Sequence, residues 1–464
     1  MAGTMFLEKI KSDGLAHLSY ILGHGGRAAV IDPRRDCAIY VDIAHKNGAR
    51  ITHIFETHRN EDYVIGSRDL VRRTGAEVYH GKNLDFAYGK SVSEGETFEL
   101  GDVSLKILET PGHTFESISI VLFDKSFGDR PLGVFTGDCL FIGAVGRTDF
   151  FPDRSREVAG LQYDSIFKKI LSLGDQVILY PAHGAGSICG SGMADREFST
   201  LGYERMLNPA LQVKSREAFI KQKIGSHEYQ PPYFRRMEEY NQNGSAPVMD
   251  RLPKPPPMGP EEFEKAIRNG ALAIDLRSPE AFAGAFIPGA LAIPLDMVPA
   301  FAGYFVSYDQ DLVFIAENQS EIDKAVKYFI RLGFDRLSGF LAPGMHGWET
   351  SGRAYDRIPA IHVDELVKRI ETKEPFTLLD VREISEVEET GKLPGAMHIF
   401  LGELPQQIAK VPKEKPVTTF CGSGQRAIIA ASILKQNGYD RVEDSLGSMA
   451  ACEAAGCPID TRKA

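Results

Sequence analysis

A chain of 464 residues has room for about three domains, and its 43% hydrophobic and 25% charged residues are ordinary for globular proteins. A net charge of −10, from 53 basic and 63 acidic residues, argues against nucleic-acid binding as the main business and gives no reason to invoke anionic lipid. No apolar run reaches the roughly 18 residues that span a bilayer, and six cysteines in this length read as free thiols, not a disulfide scaffold.

Met1–Ser12 carries charge early and has no apolar signal core, so a cytoplasmic protein is expected. Leu18 to Asp32 reads as two short strands with a Gly-rich turn at Gly23–Gly26. Further strands are predicted at Ile51–Phe55, Val103–Glu109, Ile118–Phe123, Gly133–Phe135 and Val177–Tyr180. They come in close pairs, which reads as two sheets with helices outside.

Several of these strands run into polar loops rich in possible ligands: Glu56-Thr57-His58-Arg59-Asn60-Glu61-Asp62-Tyr63, Thr110-Pro111-Gly112-His113-Thr114, and Phe135-Thr136-Gly137-Asp138. Tyr180-Pro181-Ala182-His183-Gly184 has the same shape. Ligands on loops at strand ends are how a rigid scaffold presents a metal site. His53, on a strand, reads as structural, and Cys139 as buried and inert. Arg147 suits either a bidentate clamp on a substrate carboxylate or an ion pair with Asp149 or Asp153. Cys189 lies in the glycine-rich loop His183–Gly192 and is read either as a persulfide carrier near the metal mouth or as an ordinary loop thiol.

Pro231–Pro260 holds eight prolines and is expected to run extended as a linker. Beyond it the sequence repeats. Ala273-Ile274-Asp275-Leu276-Arg277 matches Leu378-Leu379-Asp380-Val381-Arg382, and Gly333–Arg336 matches Gly438–Arg441, both at an offset of 105 residues. Ile287–Ala290 matches Leu393–Ala396 at 106, a one-residue insertion. Each copy alternates helices (Glu261–Arg268, Val363–Ile370) with buried strands (Leu312–Ala316, Val417–Phe420), which predicts parallel sheets covered by helices.

Phe420-Cys421-Gly422-Ser423-Gly424-Gln425-Arg426 follows a strand and opens a helix, Ala427–Asn437. Cys421 sulfur there faces backbone N–H groups and a helix N-terminus, which favour an anion. Gly422 and Gly424 allow the tight loop, and Arg426 adds charge or ties the loop to a carboxylate such as Asp380 or Glu383. The matching loop in the first copy, Ala316–Glu321, has no cysteine, glycine or arginine, so that copy is expected to pack or position rather than react. Cys452 and Cys457 are spaced C-x₄-C with no second pair, which argues against zinc.

The Cys421 loop resembles the C-x-x-G-x-R active-site pattern of rhodanese-type sulfurtransferases, with Asp380–Arg382 and Leu393–Ala396 where that family has its own versions. The front loops resemble the metallo-β-lactamase fold, whose pattern T-H-x-H-x-D-H is kept here at Thr57, His58 and Asp62 but has Asn60 and Tyr63 for the other histidines. Losing two such residues argues against a second metal. The resemblance then implies a mononuclear set, His58, His113 and Asp138, suited to one non-haem Fe(II) per chain, as in the persulfide dioxygenase branch. It places Asp62, Tyr63, Arg147 and His183 behind the metal or against substrate.

The expected architecture is a multidomain α/β chain: an αββα metallo-β-lactamase-like domain (1–240), a Pro-rich linker (241–258), an inactive rhodanese-like domain (259–356) and an active one (357–464). The implied activity is O₂-dependent oxidation of a thiol persulfide (glutathione, coenzyme A or similar) to sulfite, with Cys421 as a persulfide carrier making or using thiosulfate. A homo-oligomer is assumed, without a residue to derive it from. The rival readings are a zinc thioester hydrolase of the glyoxalase II type and a non-catalytic sulfur-binding scaffold.

Overall fold

The computed structural model describes residues 4–187, 192–225 and 229–460. They fall into two compact units, residues 1–252 with 330–333 and residues 253–329 with 334–464. No helix among the described residues is long and apolar enough to cross a membrane.

The first unit holds two six-stranded sheets. One runs in chain order from Phe6–Ser12 through His17–His24, Arg27–Ile31, Arg50–Phe55 and Glu77–Gly81 to Lys90–Val92. Gly25 and Gly26, both at positive φ, make the two-residue turn between its second and third strands. In the other sheet, Ser199–Thr200, Ile178–Pro181, Gly133–Gly137, Ile118–Asp124, Val103–Glu109 and Thr97–Leu100 are neighbours in that order. Strand alternation sets the inner face: Val103, Leu105 and Ile107 are buried while Lys106 points out. These side chains meet Tyr20, Leu22, Ile31 and Phe55 of the facing sheet in one core. Helices Ala38–Lys46 and Ser67–Thr74 cover the first sheet through Tyr40, Ala44 and Leu70. Ile166, Ile170 and Phe219 cover the second. The result is the four-layer αββα sandwich that the closely paired strands predict.

The proline-rich stretch departs from expectation. It is not extended throughout, because Phe234–Asn243 is a helix. Phe234, Met237 and Asn241 recur at helical spacing and are buried, and most of the prolines lie beyond the helix end. Asn241 Nδ2 donates to the carbonyls of Asn60 and Tyr63, so this helix braces the loop after strand Arg50–Phe55.

In the second unit two five-stranded parallel sheets repeat one topology. The first orders Pro257–Met258, Leu337–Leu341, Leu312–Ile315, Leu272–Asp275 and Leu291–Ala292. The second orders Ala360–Ile361, Val442–Ser445, Val417–Phe420, Thr377–Asp380 and Met397–His398. The helix Gln425–Gln436 of the second copy is buried along Ala427 to Leu434 without a polar stripe, as a helix covered on both sides must be. Its own sheet covers one side. On the other, Ser432 Oγ accepts from the Ala292 N–H and Gln436 Nε2 donates to the Gly289 carbonyl, both in the cysteine-less copy.

Candidate metal centre and sulfur-transfer loop

The C-terminal ends of four strands in the first unit converge. His58, Glu61 and Asp62 follow Arg50–Phe55, His113 follows Val103–Glu109, Asp138 follows Gly133–Gly137, and His183 follows Ile178–Pro181. All are buried.

Each imidazole is fixed from behind. Asp32 accepts from the Thr57 N–H and hydroxyl at 2.8 Å, and Thr57 Oγ1 lies 2.9 Å from His58 Nδ1, which aims His58 Nε2 inward. Gly137, at φ +54, lets Thr57 approach, because a Cβ there would lie 2.6 Å from Thr57 Oγ1. His113 Nδ1 donates to the Arg147 carbonyl at 2.9 Å, so its Nε2 also faces the centre. His183 lies between two carboxylates, with Nδ1 2.7 Å from Asp138 Oδ1 and Nε2 3.0 Å from Asp62 Oδ2.

What remains are ligand atoms without hydrogen-bond partners: His58 Nε2, His113 Nε2, Asp138 Oδ2 and both oxygens of Glu61. Asp138 Oδ2 is 3.6 Å from His58 Nε2 and 3.5 Å from His113 Nε2, and Glu61 Oε1 is 3.0 Å from His113 Nε2. A first-row metal lies about 2.0–2.2 Å from such ligands, which puts neighbouring ligand atoms roughly 3.0–3.6 Å apart. The cluster His58, Glu61, His113 and Asp138 therefore fits one ion.

The two imidazoles shift in opposite directions. Burial lowers His58 to about 3, so it is neutral. Burial also pulls His113 down, but Glu61 and Asp138 outweigh it and raise the imidazole to about 9. Against burial, His183 and His58 hold Asp138 well below the usual carboxylate range. Burial likewise opposes a charge on His183, yet Asp138 and Asp62 raise it well above its ordinary value. Both nitrogens of His183 are thus engaged by carboxylates.

Two arginines find particular partners. Of the two readings of Arg147, the ion pair with Asp149 is the one present: Nε and Nη2 lie 2.7 and 2.6 Å from its two oxygens, and the guanidinium stacks near Phe150 and Phe234. Arg426 is tied to neither Asp380 nor Glu383 by the contacts that dominate it; its Nη1 and Nη2 lie 2.5 and 2.6 Å from the oxygens of Glu386, while Asp380 is held by Arg382. Tyr63 is buried, with its ring 4.1 Å from His17 and 6.4 Å from His183. Cys139 is buried, and burial pushes its thiol up. Cys189 lies outside the described residues. Glu61 is the residue that sequence reading passed over, since it falls at a variable position of the motif; a carboxylate amid four polar neighbours at a strand end was the available signal.

In the second unit, Cys421 Sγ accepts from the Gly424 N–H at 3.1 Å, with Gly424 at φ +97 opening the helix Gln425–Gln436. The loop is latched from the other side by the start of helix Ser448–Ala455. Ser448 Oγ accepts from the Cys421 N–H, and the Met449 and Ala450 N–H groups donate to the Cys421 and Gly422 carbonyls. The cysteine-less copy fills the same place internally: Glu321 Oε2 accepts from the Glu317 N–H, and Asn318 Oδ1 from the Glu321 N–H. An anion site there is closed by the chain's own carboxylate.

Comparison with known proteins agrees with both halves. The metallo-beta-lactamase superfamily model matches residues 12–183, and the rhodanese-like domain model matches 259–351 and 362–455. The mitochondrial persulfide dioxygenase ETHE1 of Bos taurus is 30% identical over 215 residues, covering 44% of this chain and 74% of that protein. The hydroxyacylglutathione hydrolase GloC of Haemophilus influenzae is 27% identical over 210 residues, covering 40% and 89%. A Staphylococcus aureus metallo-beta-lactamase structure is 31% identical with a TM-score of 0.66, covering 73% of this chain and 99% of that one.

Proposed function

Because the chain belongs to the metallo-beta-lactamase superfamily in its front half, with homology to persulfide dioxygenase ETHE1, and carries two rhodanese-like domains behind it, we propose that it is a mononuclear iron persulfide dioxygenase joined to a thiosulfate sulfurtransferase. The observation that carries this reading is the set of orphaned ligand atoms on His58, His113 and Asp138, with those of Glu61 next to them, beside a His183 whose nitrogens are both engaged. Two imidazoles and a carboxylate with open positions suit Fe(II), which when bound would supply the redox chemistry that brings O₂ to a persulfide sulfur.

The chain's own residues do the rest. Thr57 and the Arg147 carbonyl fix the two imidazoles, and His183 fixes the Asp138 carboxylate, so the ligands are oriented before an ion arrives. Burial of the whole cluster keeps bulk water from the reacting sulfur. The substrate is a low-molecular-weight thiol persulfide, of glutathione, coenzyme A or a similar thiol, and the products are sulfite and the thiol. At the other site the Gly424 N–H and the helix start hold an anionic Cys421 sulfur. A Cys421 persulfide then gives its outer sulfur to sulfite, forming thiosulfate and leaving the Cys421 thiolate; the reverse step loads it. A reducing, cytoplasmic setting fits the free thiols. The hydrolase reading, which the GloC relative would favour, lacks support at Asn60 and Tyr63, where a second metal would need histidines.

Metal analysis together with oxygen uptake on glutathione persulfide tests the proposal. About one iron per chain with uptake and sulfite formation is expected; two zincs, or no uptake by iron-loaded protein, would sink it. Replacing Cys421 by serine should shift the sulfite-to-thiosulfate ratio, and an unchanged ratio would remove Cys421 from the cycle.

A further inference from the structure

Two thiols in the catalytic rhodanese copy have no part in the chemistry above. Cys452 lies in helix Ser448–Ala455, the helix whose first turn latches the Cys421 loop, and Cys457 follows its end. The helix closes in a Schellman motif. The Cys457 N–H donates to the Cys452 carbonyl at 3.0 Å, the Gly456 N–H to the Glu453 carbonyl at 3.4 Å, and Gly456 takes φ +71. This double closure characteristically brings the side chains of its first and last residues into contact. Here those residues are the two cysteines; both pack into one apolar cluster, and burial followed by the neighbouring Cys457 thiol pushes Cys452 up. Cys452 is fully buried and Cys457 is partly exposed. The plain alternative is that both are small apolar fillers, since they share a cluster with Leu366, Phe420 and Met449.

The internal repeat weighs against that alternative. At the offset of 105 residues Cys421 corresponds to Ala316, and the helix Met345–Thr350, which starts after Gly344 as Ser448–Ala455 starts after Gly447, carries no cysteine and is followed by none in that copy. The copy without the sulfur-transfer cysteine lacks both of the others, and packing alone does not link a solvent-side position to a sulfur loop.

We propose that Cys452 and Cys457 are a second redox site, a dithiol that a persulfide or polysulfide closes to a disulfide, with sulfide released. Cys457, the exposed partner, takes the outer sulfur of a persulfide R–S–SH, and the thiol R–SH leaves. The buried Cys452 then attacks the inner sulfur of the Cys457 persulfide, and H₂S leaves as the disulfide forms. The sulfane sulfur is reduced by two electrons and the dithiol is oxidised by two. Cys421 passes sulfur on, whereas this pair discharges it. The inference goes beyond the dioxygenase reading and needs only that the chain meets persulfides; the iron site has no part in it.

The test uses the reduced full chain, incubated with inorganic polysulfide under argon, acid-quenched, alkylated and digested. In the fragment after Arg441, which holds both cysteines, a loss of two hydrogens and of both alkylation sites is expected, reversed by a dithiol reductant. The Cys457→Ser chain should keep Cys452 alkylatable. Wild-type chain in which both thiols remain alkylatable, or carry separate persulfides without closing, overturns the inference. The Cys421 fragment in the same digest, heavier by one sulfur when loaded, reports on the sulfurtransferase reading independently.

Discussion

The Asp-x-Arg signature that marks both rhodanese copies is a buried ion pair, and Arg382→Met measures what it does. Arg382 and Asp380 are buried to 2% and 1% side-chain exposure. The guanidinium donates to both Asp380 oxygens through Nε at 3.0 and 3.1 Å and Nη2 at 2.7 Å, to Thr390 Oγ1 at 2.7 Å and to the Gly391 carbonyl at 2.8 Å. Removing it leaves the Asp380 carboxylate in the core with one long backbone donor, the Arg382 N–H at 3.2 Å. A buried charge stripped of its partner costs about 3–5 kcal/mol. Asp275 and Arg277 form the same pair in the copy without cysteine, with the Ala285 carbonyl in place of Gly391. Arg277→Met should therefore cost as much there, although that copy has no cysteine. Native-state hydrogen exchange over strands Thr377–Asp380 and Leu272–Asp275 resolves the copies, and each variant should speed exchange in its own strand by roughly two to three orders of magnitude. The double variant Asp380→Leu with Arg382→Met should recover much of the loss. A cost below about 1 kcal/mol, or a double variant as unstable as the single, would refute the reasoning.

Asp444, buried with Thr419 Oγ1 as its hydrogen-bond donor, is raised by burial from 3.8 to about 7. The folded chain thus keeps a proton that the unfolded chain loses, so this group favours folding below about pH 4 and that contribution drains away as pH rises to about 7. Asp444→Asn should flatten the pH dependence of urea unfolding across that window and stabilise the chain at pH 8, by at most about 4 kcal/mol; an unchanged pH profile would contradict this. His183→Gln, which loosens Asp138 without removing a ligand, should weaken metal affinity about 10–100-fold in chelator competition; an unaltered affinity would mean that Asp138 needs no support. Gly146→Ala would put a Cβ 1.9 Å from the Asp138 carbonyl and 3.1 Å from His113 Nδ1, so bound metal should fall well below one per chain at equal expression, and full occupancy would show that the loop gives way.

Much of this was legible in the residues because the relevant signals are local. The period-two strands, the strand–cysteine–glycine–helix sequence of residues 417–436 and the 105-residue offset are each contained within one element or one repeat. What escaped depends on contacts between distant segments. The sequence offers Arg426 the carboxylates of Asp380 and Glu383, and only the packing of helix Ile384–Thr390 brings Glu386 to it instead. The sequence leaves Arg147 between a substrate clamp and a pair with Asp149 or Asp153, and the fold settles on Asp149, with Phe234 of a helix that the surrounding prolines concealed beside the guanidinium. Glu61 carries only a weak local mark, a carboxylate in a polar loop at a strand end; its importance arises where the His113 loop comes within 3.0 Å of it.

The helix that starts at the sulfur-transfer loop is sheathed by the copy that lost its cysteine, through Ser432 against Ala292 and Gln436 against Gly289. The second copy is therefore not a portable module. Cut out at the repeat boundary, it would expose one flank of a helix whose residues Ala427–Leu434 are all buried, and that apolar strip would invite aggregation. The copy without a cysteine thus forms part of its twin's interior, and substitutions at Gly289 and Ala292 would be felt along that flank.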